Sequence, residues 1–172
     1  MSILTYLWMY QSDDDIENSM PTNIFVTDGD TDTLTQLRAN VEQHCLPTAT
    51  GRSTISCHQL LWGTETTKQF QRQQQRNEEN KEDQSSAYFD VLLASDIVYV
   101  ADIIEPLWET VALLLKRSPT SQFVMAYCSK REVPVTIDQV LEGATSAGFS
   151  YHRVFENEEG ILIYRFQWMM KY

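Results

Sequence analysis

The chain is 172 residues long, 42% hydrophobic, and carries a formal net charge of −11 at pH 7. Such a length and apolar share suit one domain, spanning residues 1–172, with a core of its own. The acid excess argues against a nucleic-acid partner, whose phosphates are neutralised by Lys and Arg, and favours a basic protein or peptide; no apolar run approaches the roughly 18 residues of a membrane helix.

Residues 2–10, SILTYLWMY, are apolar almost throughout and suit a buried helix or a buried strand, which periodicity alone does not separate. Residues 11–22 are acidic and polar, with Pro21, and read as a loop. NIFVT, residues 23–27, is rich in β-branched and aromatic side chains and predicts a strand ending at Asp28 and Gly29. Leu34, Leu37 and Val41 then recur at helical spacing from Thr31 to about Gln43, with Asp30 or Thr31 placed to cap the first turn. After a loop holding Pro47 and Gly51, STISCHQLLWG predicts a second strand-like segment ending at Trp62 and Gly63.

Composition changes abruptly over residues 64–88, where QRQQQRNEENKEDQ is almost devoid of apolar side chains. Such a stretch cannot offset its ordering entropy by burial, which predicts a flexible polar insertion, or else a solvated helix. Next comes FDVLLASDIVYV, residues 89–100, whose continuous VLLA suits a parallel strand covered on both faces. Residues 102–116 predict an apolar-faced helix with Pro106 in its first turns, QFVMAYC a further buried strand, and residues 136–147 an amphipathic helix ended by Gly148. FSYHRVFE and GILIYRFQW are two strands joined by the polar turn ENEEG. Strands alternating with helices and closing in a hairpin imply an α/β fold, a doubly wound and mostly parallel sheet with one antiparallel strand at its end.

The stretch FVTDGDTDTL, residues 25–34, sets three aspartates at alternate positions after a strand. Asp28, Asp30 and Asp32 match positions 1, 3 and 5 of a calcium loop, but that loop needs Gly at position 6 and Glu at position 12, where Thr33 and Ala39 stand. Calcium is therefore excluded. A solvated turn remains open, since Asp and Gly favour turns for local reasons. So does a ligand site beyond the carboxyl ends of the strands, where an acidic residue after the second strand accepts from ribose hydroxyls. Trp62 and the Ser95-Asp96 pair end two further strand-like segments and could converge with Asp28 on one ligand. His44, His58 and His152 form no ligand pair, and Cys45, Cys57 and Cys128 match no zinc spacing, so no metal is expected. The cysteine usage and a start without a signal-peptide pattern predict a cytoplasmic or nuclear setting.

VTDGD followed by Leu34, Leu37 and Asn40, LLWG at residues 60–63, FDVLLASDIVY at 89–99 with its D-x-x-Y from Asp96 to Tyr99, FVMAYCSKRE and the terminal ILIYRFQW occur in one order. Together they resemble the seven-stranded class I methyltransferases that modify protein lysine and, less often, histidine side chains, over about residues 23–172. The resemblance implies a Rossmann-like fold, S-adenosylmethionine as cofactor and a protein substrate. Asp28 would bind the cofactor's ribose with Gly29 beside it, Trp62 would pack near the adenosine, and Ser95 would line the pocket. Asp96 and Tyr99 would be the catalytic pair, shaping the entrance for the target side chain.

One part of that family pattern is missing. The methionine end of the cofactor is normally cradled by a glycine-rich turn after the fold's first strand, and the first glycine in this sequence is Gly29. SILTYLWMY is accordingly read as the remnant of the first helix, because a substitute strand there would leave only residues 11–22 for a crossover that needs about a dozen or more. The lost strand belongs in the middle of the sheet, so its neighbours should hold unpaired backbone groups unless they pair directly. The expected activity is methyl transfer to a protein lysine; the alternative is a non-catalytic interaction module that keeps the remaining strands and holds a basic partner.

Overall fold

A computed structural model describes residues 23–44, 54–77 and 88–170 of the chain. The apolar segment at residues 2–10 lies outside these described residues. Along the chain run β1 (Asn23–Asp28), α1 (Thr31–His44), β2 (Thr54–Gln59), α2 (Thr64–Asn77), β3 (Val91–Ser95), α3 (Ile104–Leu114) with a short 3-10 turn before it, β4 (Gln122–Cys128), α4 (Ile137–Ser146), β5 (Phe149–Glu156) and β6 (Ile161–Trp168).

Local chemistry explains the boundaries. At the start of α1, Asp30 Oδ1 accepts from the Thr33 N–H at 2.8 Å, satisfying one of the orphan donors of the first turn. That bond is also the chief reason the Asp30 carboxyl is held below its usual range. Pro106 falls in the first turn of α3, where its missing N–H costs no helical hydrogen bond. Thr136 and Gln139 close a capping box on α4, each side chain bonding the other's backbone N–H.

The strands form two sheets. β1 and β2 pair in parallel, from Asn23 opposite Thr54 to Asp28 opposite Gln59. The second sheet has the order β3-β4-β6-β5. β3 and β4 are parallel, with Val91 opposite Gln122, whereas β6 runs antiparallel to both of its neighbours, β4 and β5. The strand and helix succession and the reversed closing strand thus agree with the sequence reading. β1 and β3, the two strands that would flank the missing one, do not pair with each other.

Residues 64–88, read as a flexible polar insertion or else a solvated helix, begin as a regular helix, α2, over Thr64–Asn77, though one that is docked. Thr67, Phe70 and Gln74 recur every three or four residues and are buried, so one narrow stripe docks an otherwise polar helix. Its polar members have partners on two elements: Thr67 Oγ1 lies 3.1 Å from Thr110 Oγ1 of α3, and Gln74 Nε2 lies 3.2 Å from His58 Nδ1 of β2; beside the stripe, Gln71 Nε2 donates to the Leu113 carbonyl at 2.8 Å. Residues 78–87 lie outside the described residues.

The larger core gathers around Trp108 of α3, which packs edge-on against Phe123 and Phe166 with ring centroids 5.7 and 4.9 Å away. Its indole N–H donates to the Val140 carbonyl of α4 at 3.1 Å, so the ring is buried without leaving a polar atom unmet. α3 and α4 approach closely because Gly143 faces that ring. A Cβ at Gly143 would sit 2.8 Å from Trp108 Cδ1.

Candidate functional site

Asp28 ends β1 with a side chain that is only 9% exposed. Oδ1 accepts from the Asp30 N–H at 2.8 Å, fixing the carboxylate in an Asx turn, while Oδ2 is buried and has no hydrogen-bond partner among the described residues. A purely solvated turn would leave that oxygen facing water, so burial argues against the solvated reading at Asp28, whereas Asp30 and Asp32 are exposed as that reading expects. Gly29 follows, its carbonyl accepting from Gln59 Nε2 at 3.0 Å, and the Asp28 carbonyl accepts from the Leu60 N–H at 3.0 Å. These two bonds carry the β1–β2 pairing past the strand ends and hold the turn in place.

Trp62 lies just beyond β2, half-buried and packed against apolar side chains of both neighbouring core clusters. It lines a cavity of about 60 Å³ together with Phe25 and Thr27 of β1, Leu92 and Ala94 of β3, and Ile97. Thr27 precedes Asp28, and Ala94 and Ile97 bracket Ser95-Asp96. Of the residues singled out in the sequence, Trp62 lines this hollow, whereas Asp28, Gly29, Ser95, Asp96 and Tyr99 are not among its walls. Ser95, opposite Ala126 at the end of β3, is exposed.

Asp96 has a left-handed backbone, φ 57°, an uncommon conformation for a residue other than glycine that Asp tolerates better than most. Its N–H still bonds the Ala126 carbonyl at 3.0 Å, so the turn comes directly off the β3–β4 ladder. The Asp96 carboxylate is ion-paired with Arg131, whose guanidinium carbon lies 4.9 Å from the centre of the Tyr99 ring. A side-chain hydrogen bond with Tyr99, followed by the Asp96 charge, pushes the Arg131 guanidinium above its already high range. Arg131 Nη1 is buried without a partner among the described residues. Asp96, Tyr99 and Arg131 thus form one cluster, and the sequence reading identified two of the three. Arg131 was legible only as part of FVMAYCSKRE; 35 positions separate it from Asp96, and pairing at that range depends on β3 lying beside β4.

The residues present fit half of a nucleoside-containing cofactor. A buried carboxylate oxygen with no partner among the described residues, beside a glycine at a strand end, is the donor-seeking group that a ribose diol satisfies, and Trp62 offers an aromatic plane in the hollow beyond β2. No glycine precedes Gly29 in the sequence to cradle the other half.

The family model described as lysine methyltransferase matches residues 15–137, well over half of the chain. No curated protein matches the chain. Among solved structures, a magnesium protoporphyrin IX methyltransferase from Synechocystis PCC 6803, solved with bound SAM, is similar with a TM-score of 0.50 and 11% identity, over 83% of this chain and 58% of that one. A protein from Bordetella parapertussis described as possibly exported is similar with a TM-score of 0.50 and 12% identity, over 83% of this chain and 51% of that one. The chain thus spans between half and three-fifths of the length of these structures, with which it shares a fold. The family match over residues 15–137 takes in Asp28, Trp62 and the Asp96–Tyr99 motif, and by it the chain belongs to the lysine methyltransferase family.

Proposed function

We propose that this chain carries the nucleoside-binding and acceptor-facing part of a protein-lysine methyltransferase that uses S-adenosylmethionine. The buried, partnerless Oδ2 of Asp28 is the observation that carries this reading. When bound, the cofactor supplies an electrophilic methyl group on a sulfonium.

The chain's own residues have three tasks. Asp28 accepts from the ribose hydroxyls, Gly29 keeps the backbone close to them, and Trp62 and Ser95 flank the base and the pocket. Asp96 and Tyr99 receive the target lysine: the carboxylate and phenol oxygen hold its ammonium form and, once that proton has passed to water, align the neutral amine, whose lone pair is then free for in-line attack. Arg131 already holds that carboxylate, so an incoming lysine must share or displace an existing cation. This makes the acceptor site selective for a side chain that brings comparable charge and can reach the pair. The formal charge of −11 suits a substrate segment rich in Lys or Arg and disfavours nucleic acid. The free thiol of Cys128 is consistent with a reducing cytoplasmic or nuclear setting. Among the described residues, no helix is long and apolar enough to cross a membrane.

Calorimetry of the full chain with S-adenosylmethionine tests the reading. Binding is expected, and Asp28→Ala should weaken it by about 10- to 100-fold, the worth of hydrogen bonds to a charged acceptor. No heat at millimolar cofactor, or identical affinity in the variant, would remove the ribose role from Asp28.

A further inference from the structure

A lone carboxylate is a poor seat for a lysine that must react. Within about 4–6 Å it stabilises the ammonium form, whereas only the neutral amine has a lone pair to donate. The charge that resolves this conflict is already in place. Arg131 Nη2 is ion-paired with Asp96 Oδ2, and the guanidinium carbon lies 4.9 Å from the centre of the Tyr99 ring.

We infer that Arg131 is a positioning residue of the acceptor site, which stays paired with Asp96 when a lysine enters, holds the carboxylate and the phenol ring in place, and offsets the carboxylate's preference for the ammonium form. The inference rests on the acceptor-site reading of Asp96 and Tyr99 given above. It adds that the target lysine shares the carboxylate with Arg131 and does not displace it.

The surroundings of Arg131 favour sharing. The loop that carries it is fastened to the turn between β5 and β6: the Gly160 carbonyl accepts from the Ser129 N–H at 2.8 Å and from Ser129 Oγ at 3.0 Å, and Lys130 Nζ donates to the Glu158 carbonyl. Loop and turn are fitted closely, since a Cβ at Gly160 would meet Ser129 Oγ at 2.7 Å. Arg131 therefore stands on a fixed base. Its Nη1 is buried, so swinging the guanidinium away would give up the contact with Tyr99 as well as the ion pair. Asp96 nevertheless keeps 38% of its side chain exposed, and the ion pair engages Oδ2, which leaves Oδ1 to meet a second cation.

A guanidinium also suits the task because it stays charged over the whole range in which a lysine titrates, and here a hydrogen bond with Tyr99 and the Asp96 charge push it higher still. Asp96 and Tyr99 are the titratable groups in contact with it. Lys130 and Glu132 in the same loop, Asp102 in the 3-10 turn, and Glu158 and Glu159 between β5 and β6 are exposed, where solvent screens them. The entering ammonium thus meets a nearly balanced pair of charges. Its proton passes to water, and the lone pair released forms the new N–C bond as the carbon–sulfur bond of the cofactor breaks and leaves its electrons on sulfur.

Titration of the bound acceptor tests this without turnover. The probe is the peptide acetyl-Arg-Gly-Lys-Gly-Arg-amide, carbon-13 labelled at the lysine Cε and followed by NMR with excess full-length chain from about pH 7 to 11, the span of lysine ionisation. With the wild type, its lysine should titrate within about half a unit of the free peptide. Arg131→Gln should raise that midpoint by about one unit and Asp96→Asn should lower it by about one unit, the size expected for one charge at about 5–6 Å in a half-exposed site. Shifts of opposite sign are the mark of charge, which a merely structural role for Arg131 would not produce. Equal midpoints in the wild type and Arg131→Gln, with peptide bound to both, would overturn this inference and leave the acceptor reading standing. No binding of the peptide to the wild type at millimolar concentration would overturn the acceptor reading and this inference with it. If Arg131→Gln fails to fold, Asp96→Asn decides, since Asn tolerates the left-handed backbone at that position; a midpoint there that does not fall overturns the proposal.

Discussion

Individual side chains in this molecule are constrained most where charge meets burial. His58 is half-buried, stacked 5.2 Å from Phe25, and hydrogen-bonded through Nε2 to Ser56 Oγ at 2.8 Å and through Nδ1 to Gln74 Nε2 at 3.2 Å. With the Gln74 amide donating to Nδ1, the ring is neutral and its proton sits on Nε2. Desolvation, with a smaller contribution from Arg38, lowers its pKa below the 6.5 of a free imidazole. The unfolded chain therefore takes up this proton first as pH falls, so the site has no effect well above pH 6.5 and costs stability as pH drops from there towards the folded value. Urea denaturation should show that decline as pH falls below about 6.5, and His58→Gln should flatten it. A slope equal in both proteins would mean that another group titrates. The acceptor cluster illustrates the limit of sequence reading at this scale. Asp96 and Tyr99 are three positions apart and visible as a motif, whereas Arg131 joins them only through the β3–β4 pairing.

At the level of elements, two helices dock by different means. α2 is polar except for its stripe of Thr67, Phe70 and Gln74, and Phe70 is the only large apolar anchor of that stripe. It already borders the cavity beside β1 and β3. Phe70→Ala enlarges an existing void that the sheet cannot close, and the expected loss is about 3–5 kcal/mol by chemical denaturation. A loss below about 1 kcal/mol would mean that the helix is held by its hydrogen bonds to α3. α4 docks by close approach at Gly143, where an added Cβ meets Ile104 Cγ2 at 2.7 Å and Trp108 Cδ1 at 2.8 Å. Gly143→Ala gains up to about 1 kcal/mol of helix propensity but forces a rigid indole to move, at about 1–3 kcal/mol. Overpacking should win, lowering the urea midpoint without changing the slope. Composition alone hid α2, because a low count of apolar residues says little when the few present fall on one face.

For the molecule as a whole, the split between its two sheets sets the order of stability. The larger sheet encloses the cluster around Trp108, while α1, β1 and β2 share a small core of Val26, Leu34 and Leu37 with Ile24 and Cys57 packed on it. Cooperative units with less buried apolar area open at lower free energy. Amides of α1 should therefore exchange through openings that spare β4 and β6, with protection lower by at least tenfold; equal protection throughout would show one cooperative unit. The sequence by itself determined the α/β succession, the strand ends at which Asp28, Trp62 and Asp96 stand, and the D-x-x-Y pair, because hydrophobic period, turn residues and local spacing are properties of neighbouring positions. Only the tertiary structure decided that β1 and β3 do not pair with each other, that α2 is a docked helix, that Arg131 occupies the Asp96 carboxylate, and that one oxygen of Asp28 is buried without a partner among the described residues. Each of these depends on groups brought together from distant parts of the chain, where burial and strand pairing, not local propensity, set the energy.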